Sequence, residues 1–305
     1  MNNYTPEEYQ LFAERFRIPD CLVRFIPRLF SEEEIGAALS DNENRYCTPS
    51  FSEEWLKKEY HRGFLNKTQT DGVYCLNDLY GMMDVFAVSR KDEYDRLFTT
   101  AEKHEIDDWY FDTYYSRLVP DENGRLTEDK VMTLQETLDT IAADPRQIYL
   151  NNCDCRSLTG DCGRPVRTCL TYKNGPNTFV DRGLSRALTR EEAMEIVRQA
   201  DRDGLMHTTM SGGICNCCSD CCYLFRSQSR AQTFGIWPYA KWVVSFDRDK
   251  CIGCGLCIKR CHLKVFCRTS DGIRPDISRC ACCGLCVNTC PGSALELRGR
   301  AGEKT

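Results

Sequence analysis

Residues 214–222 read ICNCCSDCC, which places Cys215, Cys217, Cys218, Cys221 and Cys222 within one short stretch. A hydrophobic core does not call for thiols at that density, so this stretch constrains the fold more than any other. Cysteine-dense chains are either disulfide scaffolds of secreted proteins or metal-ligating chains of reducing compartments. Adjacent cysteines and CxxC pairs suit disulfide geometry poorly. The opening MNNYTPEEYQ carries Glu7 and Glu8 where a secretory leader carries positive charge, and no apolar run follows it. No stretch approaches the ~18 consecutive apolar residues of a membrane span. The expectation is a cytoplasmic protein whose thiols hold metal.

The cysteines also divide the chain. Three of the 22 lie in the first 150 positions and nineteen after them. Charge divides at the same place, about −13 over residues 1–150 and about +8 over 151–305, within a net −5. Surplus Arg and Lys beside metal–thiolate centres offset the negative charge such centres carry. A length of 305 residues fits two or three domains.

The tail carries the most specific spacing. Residues 251–261 read CIGCGLCIKRC and residues 280–291 read CACCGLCVNTCP. Both follow C-x2-C-x2-C-x3-C, the pattern of bacterial ferredoxins with two [4Fe–4S] clusters, in which the fourth cysteine of each run ligates the other cluster. Two intervening residues, often with glycine, let a tight turn aim successive sulfurs at three corners of one cube. The crossed assignment gives one cluster Cys251, Cys254, Cys257 and Cys290, and the other Cys280, Cys283, Cys286 and Cys261. Cys267 and Cys282 are left over. Two zinc sites would rarely use three cysteines in such a run. One departure from the pattern is that the first motif ends in Cys261-His262, whereas the second ends in Cys290-Pro291. WVVSFDRDK reads as a strand and ALELRGR as its partner, which together make a ferredoxin-like frame.

The middle segment offers nine more cysteines. QIYLNNCDC reads as a buried strand running into Cys153 and Cys155, with Cys162 and Cys169 following. LTREEAMEIVRQADRDG reads as a helix, with Thr189 and Glu192 as a capping box, Ala193, Ile196, Val197 and Ala200 as its apolar face, and Gly204 as its stop. Beyond it come LMHTTMSGG and then Cys215, Cys217, Cys218, Cys221 and Cys222. Nine thiols exceed one four-coordinate site. Two iron–sulfur clusters, one larger cluster held by the CC pairs, one cluster with or without a zinc ion, or zinc alone all remain open. Adjacent cysteines point different ways, so Cys217–Cys218 and Cys221–Cys222 can each serve two centres. His207 is a weak candidate for a ligand, proton donor or catalytic group, since a lone His is more often structural. Arg156, Arg164 and Arg167 are expected to compensate charge.

This order of motifs resembles a largely uncharacterised family of ferredoxin-type iron–sulfur proteins of anaerobic bacteria and archaea. The likeness rests on CDCR…C…C, a helix ending in DGLMHTT, ICNCCSDCC and the two-cluster tail, over roughly residues 147–300. It implies [4Fe–4S] binding and electron transfer in anaerobic metabolism, and it names no substrate.

The first half is organised differently. Residues 32–40 read as a short helix capped by Ser31, and SEEWLKKEYHRGFLNK as a longer one with Trp55, Leu56, Tyr60 and Phe64 inward. TQTDGVYCLNDLYG suggests a hairpin, so the order resembles a winged-helix domain. Lys57, Lys58, His61 and Arg62 would lie on its DNA-reading helix. The strongly acidic balance of this half argues against phosphate binding, so a nucleic-acid partner is not expected. KDEYDRLFTTAEKHEIDDWYFDTYYSRL reads as one or two helices. Trp109, Tyr110, Tyr114 and Tyr115 on it suit a core or a docking face, which leaves a homo-oligomer open. Cys21, Cys47 and Cys75 are expected to be buried hydrophobes.

The overall expectation is an α+β chain. It comprises a winged-helix-like acidic helical domain over 1–145, a Cys-rich metal-cluster α/β domain over 146–238, and a two-[4Fe–4S] ferredoxin domain over 239–305. No GxGxxG after a strand, GxxxxGK[ST], HExxH or nucleophile-elbow motif is present. Three functions fit. The leading one is an electron carrier exchanging single electrons with a redox partner protein. The second is a reductase whose active site is the middle iron–sulfur centre, fed by the tail. The third, least favoured, is a redox-sensing DNA-binding regulator.

Overall fold

The computed structural model describes residues 4–40, 43–48, 50–160, 162–210 and 212–300. It is a mixed α/β structure that divides into two compact units, Met1–Tyr110 with Asn174–Ser185, and Phe111–Lys173 with Arg186–Thr305.

In the first unit, helices α1 (Pro6–Phe16), α2 (Ile26–Leu29), α3 (Glu32–Ser40) and α4 (Glu53–Arg62) precede a hairpin of strands β1 (Leu65–Lys67) and β2 (Tyr74–Leu76). Helices α5 (Leu79–Ser89), α6 (Lys91–Leu97) and α7 (Thr100–Ser116) follow, and α7 runs across the division at residue 110. Ser52 caps α4 by accepting from the Trp55 N–H, and Gly63 ends it in the left-handed region at φ +91°. A side chain at Gly63 would also strike Val85, 2.7 Å from the ideal Cβ position. Trp55, Leu56, Tyr60 and Phe64 are all buried, as the helical periodicity predicts. Phe16 stacks on Phe12 and Phe64 with centroids 5.7 and 5.3 Å apart, within the favourable range for aromatic pairs. Among α4's basic side chains, Lys57 pairs with Glu53, Lys58 with Glu59, and Arg62 with the buried Glu34. Carboxylates already neutralise these cations, in line with the charge count.

Two features differ from the sequence expectation. Cys21 is exposed, and Cys47 and Cys75 are only half-buried. In the 3-10 turn Asp20–Phe25 it is Leu22 and Phe25 that face inward, leaving Cys21 on the water side. The segment Asn174–Ser185 also joins this unit from far along the chain. Asn177 accepts from the Lys67 N–H at 2.7 Å and donates back to its carbonyl at 3.0 Å. Arg182, buried, donates to Leu65 O at 3.0 Å.

The second unit is built on a seven-stranded sheet among the described residues. Its strands are β3 (Lys130–Met132), β4 (Ile148–Asn151), β5 (Cys169–Thr171), β6 (Arg186–Leu188), β7 (Met206–Met210), β8 (Gly213–Cys217) and β9 (Tyr239–Ala240), in the order β6-β4-β5-β8-β7-β3-β9. All neighbours are antiparallel except β3 and β9. β3 and β9 therefore bring residues from either side of the 146–238 span into the sheet of the cysteine-rich segment. Side chains alternate across the sheet. One face carries Met132, Ile148, Leu150, Leu170, Leu188 and Ile214, and packs on Ile141 of α8 (Leu134–Ala143) and on Ala193 and Val197 of α10 (Arg190–Arg202). Thr189 and Glu192 form the capping box of α10, as read from the sequence.

The opposite face carries Val131, Met206, Cys215 and Cys217. Short helix α9 (Asp154–Thr159) and α11 (Tyr223–Ala231) each begin directly after a cysteine, Cys153 and Cys222. The tail forms two two-stranded antiparallel sheets, β10 (Trp242–Phe246) with β13 (Leu295–Gly299), and the hairpin β11 (Phe266–Thr269) with β12 (Gly272–Pro275), plus helix α12 (Leu256–Arg260). The β10–β13 pair joins the two segments that the sequence marks as partners. No helix among the described residues is long and apolar enough to cross a membrane.

Candidate metal centres

Strand periodicity decides which middle cysteines meet. On β8, Cys215 and Cys217 are two residues apart and share a face, while Ile214 and Asn216 point to the other. Cys169 opens β5, and Cys153 continues the line of β4 by two residues. Cys155 follows in the first turn of α9, and Cys222 sits at the start of α11. The six thiols close into a ring of side-chain hydrogen bonds, running Cys153–Cys155–Cys222–Cys217–Cys215–Cys169 and back to Cys153. Cys153 and Cys217 stand opposite each other in it. Bonds from Cys155 and Cys169 hold Cys153 well below the ordinary thiol range. Bonds from Cys215 and Cys222 bring Cys217 down to about 5. Cys153 and Cys217 are thus the two ring positions that a pair of neighbouring thiols draws toward the anionic form. Cys215 also donates to Met210 Sδ at 3.2 Å, and Thr208 Oγ1 lies 3.5 Å from Cys217 Sγ.

The other three middle cysteines form a separate group. The sulfurs of Cys162, Cys218 and Cys221 all lie within 4.8 Å of one another. The Cys221 N–H donates to Cys218 Sγ at 3.4 Å, and the Arg164 backbone bonds Cys162. Bonds from Cys162 and then Cys221 lower the Cys218 thiol far below its usual value. Each CC pair is therefore split: Cys217 and Cys222 face the ring, and Cys218 and Cys221 face the triad.

Between these groups lies Arg156, 2 % exposed. Its guanidinium donates to Pro165 O at 2.9 Å, to Asn216 O at 2.8 Å and to Thr168 Oγ1. Burial works against its charge, but the thiols of Cys153, Cys169, Cys218 and Cys217 outweigh burial and keep it firmly protonated. Arg167, by contrast, is exposed, and Arg164 is half-buried. Sequence reasoning grouped these three arginines; only the fold separates the buried cation from the surface one.

His207 is buried on β7 directly across from Asn216, on the face opposite Cys215 and Cys217. Its Nδ1 is 2.6 Å from Asn216 Oδ1 and its Nε2 is 3.7 Å from an Asp201 carboxylate oxygen. The weak candidate thus lies away from the thiol ring. The sequence reading missed Asp154, whose carboxylate groups with Cys153 and Cys155 within 4.8 Å. Burial, then the Cys153 charge, raises its carboxyl to about 6. A carboxylate between two cysteines in CDC was the available signal.

The tail thiols are spaced more widely. Among the described residues, no three of them gather as tightly as the triad. Cys257 feels the charges of Cys251 and Cys254, Cys261 acts on Cys283 and Cys286 of the second motif, and Cys257 also acts on Cys286. Cys261 thus stands near two thiols of the second motif. Gly253 and Gly255 take φ of +69° and +76°, which lets the first loop turn as tightly as CIGCGLC demands. Burial raises the Cys261 thiol and pushes Cys283 up to about 12, so both favour the neutral form unless a cation binds. Backbone N–H groups of Leu263, Lys264 and Val265 bond Cys261, and Ala294 N–H reaches Cys290 Sγ at 3.4 Å. Half-buried thiols facing amide donors, as Cys261 and Cys290 are, fit an anionic cluster that ionises its ligands. Of the leftover cysteines, Cys267 is exposed, while Cys282 is buried and bonded to Cys280.

The second motif also meets the middle centre. Ala281, Cys282 and Leu285 belong to the same core as Cys215, Cys217 and Cys222, and Cys280 and Cys283 pack against it. The departure at His262 has a structural counterpart. Its Nε2–H donates to Gly204 O, just beyond α10, which leaves Nδ1 to accept from Arg164 Nη2 at 3.1 Å. Arg260 donates to Asp201 O and Arg202 O at 2.7 and 2.8 Å and Arg164 to Asp203 O at 2.8 Å, so two cations and an imidazole satisfy the carbonyl end of α10.

The family model Fer4, the 4Fe-4S binding domain, matches residues 244–261, which span most of β10 and the whole first motif. No curated protein matches the chain. The match and the clustered cysteines support an iron–sulfur protein.

Proposed function

We propose that the protein is an iron–sulfur electron-transfer protein, passing single electrons between a redox partner protein and its own centres in anaerobic metabolism. The tail would hold two [4Fe–4S] clusters, one on Cys251, Cys254, Cys257 and Cys290 and one on Cys280, Cys283, Cys286 and Cys261. The middle thiols would hold one or two further centres. Such clusters supply reversible one-electron chemistry at potentials set by charge, amide hydrogen bonds and burial. The residues of the chain do the rest. Amide donors around Cys261 and Cys290 stabilise the ligands' charge, and Arg156 offsets the charge of the middle thiolates. The observation that carries the reading is the shared core: Cys280 and Leu263 border both the tail core and the one containing Cys215, Cys217 and Cys222. That the second motif packs on both cores supports sequential transfer between tail and middle centres.

A reductase is the second reading. It draws support from Asp154, a carboxyl beside the ring that can accompany an electron with a proton. Reduction of an added acceptor at the middle centre, lost in Asp154→Asn with the clusters intact, would favour it over the carrier.

The carrier reading is tested by Cys283→Ala on anaerobically purified protein. The expected outcome is loss of one tail cluster's spectroscopic signal while the middle centre persists. Retention of every cluster signal would overturn the ligand assignment.

A further inference from the structure

The triad of Cys162, Cys218 and Cys221 does not fit the geometry of the other thiols. Tetrahedral thiolates on one zinc-sized ion, with metal–sulfur bonds of about 2.3 Å, stand about 3.8 Å apart. Three sulfurs mutually within 4.8 Å match that span. The thiolates of a cube radiate from separate iron corners and spread wider, and among the described residues no three tail cysteines gather so closely. The triad also has the local architecture of a single-ion site. Cys218-Ser219-Asp220-Cys221 is a CxxC turn in which the second cysteine's N–H bonds the first cysteine's sulfur. Cys162-Gly163-Arg164 repeats the device, with Gly163 at φ +65° and the Arg164 amide bonding Cys162. Cys218 and Cys221 are buried and Cys162 is half-buried, so the group opens on one side only.

We propose that Cys162, Cys218 and Cys221 bind one tetrahedral, thiolate-preferring divalent ion of the zinc type, independent of sulfide and separate from the six-thiol ring. Three protein ligands leave a fourth position, filled from the solvent side at Cys162. Arg156 supplies the counter-charge that three thiolates on a divalent ion require. The inference rests on the reading of the middle segment as a metal-binding region. It deepens that reading by making the adjacent residues Cys221 and Cys222 ligands of two different centres.

That adjacency gives the test. Zinc, iron and acid-labile sulfide are measured per chain on anaerobically purified wild type, Cys221→Ser, Cys222→Ser and the milder, half-exposed Cys162→Ser. The expected result is that Cys221→Ser and Cys162→Ser each lose about one divalent ion with sulfide unchanged, while Cys222→Ser loses sulfide and keeps that ion. Loss of zinc identifies the ion as zinc, and loss of one iron without sulfide identifies it as ferrous iron; both support the site. Loss of sulfide with Cys221→Ser, or no loss of metal, overturns it. X-ray absorption at the zinc or iron edge of the wild type does not depend on variants folding. Three sulfur neighbours at about 2.3 Å around a zinc ion support the site, whereas wild type with neither zinc nor iron in excess of its sulfide overturns it. Wild type with no acid-labile sulfide at all would instead refute the iron–sulfur electron-transfer function and leave the triad standing.

Discussion

Replacing Arg156 by Met keeps the length of the stem and removes the charge and all of its donors. The buried Asn216 O and Thr168 hydroxyl, and the carbonyl of the exposed Pro165, then lose their partner. Each buried polar group left unsatisfied costs about 1–3 kcal/mol. Losses within one network do not add fully, and breaking a buried charge pair costs about 3–5 kcal/mol. A total of about 3–5 kcal/mol follows for Arg156→Met, a large share of the ~5–15 kcal/mol that holds a typical domain folded. Urea unfolding under anaerobic conditions, followed by far-UV circular dichroism, measures it. Arg167→Met is the control, since Arg167 is exposed and surface changes usually stay within about 0.5 kcal/mol. Arg156→Lys separates charge from geometry: a point charge cannot span three acceptors set around a planar fork. The lysine variant should therefore recover only part of the stability. Loss of the cation should also make the middle centre harder to reduce, because the reduced state carries one more negative charge. A destabilisation below about 1 kcal/mol for Arg156→Met would refute the claim that this network holds the segment together, since even one buried group left unpaired costs that much.

Two further outcomes are expected. At Gly213 an added Cβ would sit 2.4 Å from Leu170 O and 3.3 Å from Thr171 Cα, so Gly213→Ala must push β8 from β5; we expect a cost of about 1–3 kcal/mol and weakened middle-centre absorption with tail signals intact, and unchanged middle-centre absorption would contradict the register. In the first unit, burial raises the Glu34 carboxyl to about 7 against the pull of Arg62; the folded state binds this proton more tightly than the unfolded chain, so its contribution is complete below about pH 4.5 and is lost as pH rises through about 7. Thermal melts across that window should fall for wild type and flatten for Glu34→Gln; equal slopes would contradict the assignment.

Much of the candidate site was legible because it is written in short-range spacing. Thr189 and Glu192 announced α10, and the two cysteine runs announced the tail loops, whereas the strand that puts Cys215 and Cys217 on one face was not read from Cys-Asn-Cys. The CC pairs even indicated two centres, since consecutive side chains diverge. Long-range pairing left no such mark. β3 and β9 are too short to declare themselves as strands, and they join the sheet because Val131 and Ala240 complete a core whose other members lie far along the chain. Asn174–Ser185 reads as a polar loop, and its place in the first unit depends on Asn177 and Arg182 finding backbone groups of β1. Arg156 looks in sequence like Arg167; what distinguishes it is that three acceptors close around one and water surrounds the other.

The core that Ala281, Cys282 and Leu285 share with Cys215, Cys217 and Cys222 also sets an order of events during synthesis. The ring thiols leave the ribosome well before the residues that seal them from water. Through that interval the cradle of β4, β5 and β8 has no lid, and the docking of the second tail motif closes it. The ring thiols therefore spend part of synthesis without the packing of Ala281, Cys282 and Leu285 that the finished chain gives them.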